Sequence, residues 1–126
     1  PNERGAGADV EIGTADGAAC RHRVITALLL AGVDGIESGI TPPEPVVGDS
    51  YRLDDAHAGS TLPSDLGSAL DALEADTALT SRLGEQLVST FMAMKRFEVE
   101  RFAEAVGELD VEVVTSWEIE EYASHL

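Results

Sequence analysis

The chain has 126 residues, 44% hydrophobic but only 5% aromatic, and carries 24 Asp and Glu against 8 Lys and Arg for a formal charge of −16. One domain of packed aliphatic helices fits that composition better than a sandwich of strands. Such a charge repels phosphate backbones and anionic lipid, so the sequence argues against nucleic-acid and membrane-surface partners. The acidic residues are spread along the chain, which points to a solvated, salt-tolerant surface rather than an acidic tail.

Cys20 is the only cysteine, so the sequence can form no internal disulfide and a Cys-rich metal site is excluded. That count fits a reducing cytoplasm. The chain starts at Pro1, as expected of a domain cut or processed from something longer, and shows no signal-peptide pattern. The longest apolar run, Val24 to Val33, is too short to span a bilayer.

Residues 1–17 read as an N-terminal segment with at most one short strand, Val10-Glu11-Ile12, ended by Gly13. A lone strand cannot satisfy its own hydrogen bonds, so its partner would lie in other polypeptide. Residues 18–126 read as helical. Helical spacing begins near Ala18 and runs to Glu37, apolar over so much of its circumference that it predicts a helix buried on several sides. Gly35 or Gly39 suits its left-handed cap. Thr41-Pro42-Pro43-Glu44-Pro45 then stops it, and Val46 to Thr61 reads as an irregular loop.

Leu62, Leu66, Leu70 and Leu73 make the stripe of a second helix, with Asp65 at its N-cap. Asp76 caps a short turn holding Leu79. A long helix is predicted from Thr80 to Val106, with Leu83, Leu87, Phe91, Met94, Phe97 and Phe102 as its apolar positions, Val88, Val99 and Val106 beside them, and Lys95, Arg96, Glu98 and Arg101 on wetter faces. Gly107 ends it, and Thr115 or Ser116 caps a last helix through Trp117, Ile119 and Tyr122. The fold class predicted is mainly α, with four helices.

Most catalytic patterns are missing. The sequence has no P-loop, no dinucleotide-binding glycines and no His-Glu-x-x-His, and His22, His57 and His125 stand apart from second ligands. Glu118, Glu120 and Glu121 point different ways on a helix and read as solvated charge. Cys20 reads as a half-buried, inert thiol, and Arg21 and Arg23 as surface charge with a lesser claim to anion binding at a helix start. Glu11 is the one carboxylate set where a loop can deliver it to Mg²⁺ or Mn²⁺.

The order of several short motifs resembles the end of the catalytic domain of glutamine synthetases. These are Val10-Glu11-Ile12, Ala27-Leu28-Leu29-Leu30-Ala31-Gly32-Val33-Asp34-Gly35-Ile36, the Pro-Pro-Glu-Pro linker, Leu70-Asp71-Ala72-Leu73-Glu74-Ala75-Asp76, Lys95-Arg96 with Glu98, and Ser116-Trp117-Glu118 with Tyr122. The resemblance implies a helical C-terminal subdomain that buttresses an ATP-dependent ligase site joining ammonia or an amine to glutamate. It also implies Glu11 as a ligand of Mg²⁺ or Mn²⁺, with ATP and metal bound by the parent enzyme and no cofactor by this stretch alone.

The implied partners are the rest of such a chain or other subunits, homo-oligomers included. The family's substrate-binding Arg is replaced by Gly13, an earlier Arg by Asp9, and its Asn-Pro-Tyr-Leu tetrad by Cys20-Arg21-His22-Arg23. Those departures predict a different substrate or a lost activity, and they raise the alternative of a non-catalytic interaction or oligomerisation module.

Overall fold

A computed structural model describes residues 11–13, 15, 17, 19–43, 62–107 and 113–123. Among these the architecture is five helices and no strand: α1 (Arg21–Glu37), α2 (Leu66–Ala75), α3 (Thr77–Leu83), α4 (Glu85–Val106) and α5 (Ser116–Tyr122). Glu11 and Ile12 have no regular structure, while Val10 of the expected strand lies outside the described residues. The loop expected at 46–61 lies outside them as well.

Helix ends fall where the capping chemistry puts them. A helix start leaves backbone N–H groups without partners, and a short polar side chain at the N-cap supplies one. Asp65 accepts from the Ser68 N–H at 2.8 Å, and Asp76 from the Leu79 N–H at 2.9 Å. Asp76 also closes α2, its own N–H reaching the Ala72 and Leu73 carbonyls. Thr115 and Glu118 form a reciprocal capping box at α5. At the end of α1, Gly39 takes φ +62, and the Ile40 N–H reaches the Gly35 carbonyl at 2.9 Å while the Gly39 N–H reaches Ile36. That is a complete Schellman closure.

The expected single helix from Thr80 is instead two, and four helices become five. Gly84 adopts φ +89 and ψ +140, a backbone state that side-chain-bearing residues avoid, and it separates α3 from α4. The apolar spacing runs straight through Gly84, so periodicity alone could not mark the break.

Helix α2 packs on both α3 and α4, α4 carries α5, and α1 rests on α3. Leu70 on α2, at 2% exposure, is the one fully buried side chain among the described residues. The inward face of α4 is narrower than the expected apolar set. Val88, Phe91, Val99, Phe102 and Val106 are half-buried, whereas Leu87, Met94 and Phe97 are exposed.

Helix α1 departs furthest from expectation. Val24, Ala27, Leu30 and Asp34 form its one partly covered stripe, and no residue in it is buried. Ile25, Leu29 and Ile36 are 57%, 66% and 82% exposed. A helix this apolar stays exposed here because α3, a helix of seven residues, covers a single side and α4 meets it only through the Phe91 ring at Arg23.

Candidate functional site

Three arginines tie the helices together. Arg82 on α3 donates to Asp34 at 3.1 Å and to Glu37 at 2.6 Å, both on α1. Arg96 on α4 reaches Asp71 and Glu74 on α2. Arg101 meets Glu121 on α5 through two parallel bonds of 2.8 and 2.9 Å, the fork geometry that suits guanidinium and carboxylate. Each pairing holds its arginine above the usual guanidinium range, mainly through the hydrogen bond to Glu37, Asp71 and Glu121 respectively.

These residues were expected on wetter faces, and Lys95, Arg96, Glu98 and Arg101 are in fact half-buried at the helix contacts. Lys95 bonds Glu98 at 2.6 Å, and the Tyr122 hydroxyl donates to the same carboxylate. Burial of the Tyr122 ring, then that bond, pushes its hydroxyl far above the ordinary phenol value. Phe102 and Trp117 meet edge to face at 5.2 Å beneath the Arg101 guanidinium, which lies 5.5 Å from the Trp117 ring. Of the three C-terminal glutamates read as solvated charge, Glu118 completes the cap and Glu121 grips Arg101; Glu120 is exposed. This cluster fastens α5 to α4 and consumes its carboxylates as hydrogen-bond acceptors.

The N-terminal residues hold the chemistry that the sequence singled out. Glu11 and Gly13 are exposed, and a Cβ added at Gly13 would meet nothing within 4 Å. Space for an arginine exists there; the cation does not. Asp9 lies outside the described residues. Among the described residues no three His, Cys, Asp or Glu side chains gather as a metal would need. Glu11 alone therefore does not make a site for Mg²⁺ or Mn²⁺, which take several oxygen ligands.

Cys20 is exposed, not half-buried, and occupies the N-cap of α1. The Arg23 N–H, then the Arg23 side chain, lower its thiol from 9.0 to about 7, with partial desolvation opposing them. No strict side-chain cap bond forms at Cys20, so the N–H groups of the helix start act on the sulfur as nearby dipoles. Sequence reasoning missed this because the activating group is the backbone of the first turn rather than a neighbouring base. Arg23 itself lies 5.5 Å over the Phe91 ring on α4, which gives it a packing role in place of a free anion-binding one. Arg21 and His22 are exposed, and His57 and His125 lie outside the described residues.

One shallow open groove of about 600 Å³ lies at the joint of α3 and α4, lined by Leu83, Gly84, Glu85, Gln86, Leu87 and Thr90. It contains none of the residues singled out for chemistry. No described helix is long and apolar enough to cross a membrane.

Residues 1–114 match the family model described as glutamine synthetase, catalytic domain. The glutamine synthetase of Halobacterium salinarum is 32% identical over an alignment covering 97% of this chain and 26% of that protein. That of Thermococcus kodakarensis is 32% identical, covering 97% and 29%, and that of Pyrococcus abyssi 35%, covering 94% and 28%. The chain spans between a quarter and a third of the length of these relatives. With residues 1–114 matched by the catalytic-domain model and relatives about 30% identical along nearly all of its length, the chain belongs to the glutamine synthetase family.

Proposed function

We propose that these residues are the C-terminal part of a glutamine-synthetase-like ligase, which uses ATP to join ammonia or an amine to glutamate. In this reading the helices from residue 18 onward buttress the active site, and the segment 1–17 enters it. The match to a catalytic-domain model over residues 1–114 carries the proposal. It is supported by the work the charged side chains do, because Arg82, Arg96 and Arg101 all bridge helices.

Glu11 would contribute one oxygen ligand to Mg²⁺ or Mn²⁺, with the remaining ligands, the nucleotide and the phosphates held by polypeptide outside these residues. A bound divalent ion supplies electrostatic stabilisation of a transferring phosphoryl group. The exposed face of α1, with Ile25, Leu28, Leu29, Val33 and Ile36, would dock on that same polypeptide. Full burial of one such side chain is worth roughly 1.5–3 kcal/mol, so a face of five is a substantial driving force for docking.

Gly13 and Asp9 favour a second reading, a non-catalytic module that keeps the fold. Losing a cation that clasps a carboxylate removes contacts of about 1.5–3 kcal/mol each. One experiment separates the two. The chain would be co-expressed with the part of the Halobacterium salinarum relative that it does not cover, and ATP hydrolysis dependent on glutamate and ammonia measured. The ligase reading expects no turnover from the chain alone and turnover from the assembly, lost in the Glu11→Gln variant. Turnover by the isolated chain would overturn the buttress role. A stable assembly without turnover would favour the module.

A further inference from the structure

We draw no further inference here: the strongest candidate, the exposed apolar face of α1 from Ile25 through Leu29 to Ile36, belongs to the docking already proposed, and nothing in the structure shows a second occupant for it.

Discussion

Cys20 shows how a single position takes its chemistry from local backbone. The lone thiol is visible in the sequence, but its acidity depends on standing at the N-cap of α1 with the Arg23 N–H close by. Alkylation by iodoacetamide is expected to reach half its maximal rate near pH 7, where a thiol at its ordinary value would need about pH 9.0. Arg23→Ala should move that midpoint upward only part of the way, since the backbone N–H remains. A wild-type midpoint at the ordinary thiol value would contradict the assignment. The linkage has a definite sign. A folded-state value below the unfolded one favours the native state at pH above 9.0, and that contribution is lost as pH falls through about 7. Leu70 is the opposite kind of residue, legible from its stripe with Leu66 and Leu73. Replacing it by Ala should cost about 2–5 kcal/mol and lower the midpoint of urea denaturation accordingly.

At the scale of elements, the sequence located caps better than it located faces. Asp65, Asp76, Gly39, Gly107 and Thr115 all terminate helices where short polar residues or glycine predicted an end. Capping is local, so a few neighbouring residues suffice to specify it. Gly84 escaped because a glycine within an apolar repeat reads as a tolerated interior residue. Gly84→Ala has open space for its methyl, so any penalty comes from the backbone alone. Holding a non-glycine residue in that conformation costs of order 1–3 kcal/mol. The variant should therefore melt lower, or escape the strain by fusing α3 and α4 and gain helical circular dichroism. Unchanged stability and unchanged helicity together would show that the break at Gly84 is not the one described. The narrower inward face of α4 had no local signal either. Leu87, Met94 and Phe97 sit as well in the pattern as Val88, Phe91 and Val99, and only the positions of α2 and α5 choose between the two sets.

Across the whole molecule, charge and apolar surface pull stability in different directions. With 24 acidic against 8 basic residues, even complete pairing of the basic groups leaves most carboxylates repelling one another. Salt weakens both the ties of Arg82, Arg96 and Arg101 and this repulsion, and the imbalance means that the repulsion dominates. The melting temperature is thus expected to rise from low to molar salt. A flat or falling dependence would show that the arginine ties outweigh the net charge.

Composition, helical periodicity and capping residues determined the helical class and most helix ends, and the ordered short motifs carried the resemblance to a ligase family, because each is a property of short stretches read in order. Which stripe of α4 turns inward, where the helix breaks at Gly84, and how the arginines reach across to α1, α2 and α5 were decided only in three dimensions. The arginine ties depend on residues 20 to 48 positions apart being brought together, a pairing that no local pattern encodes. The exposure of α1 has the same origin. Its sequence specifies a helix with apolar sides, but burial belongs to whatever surface meets them, and among the described elements α3 covers only one of those sides.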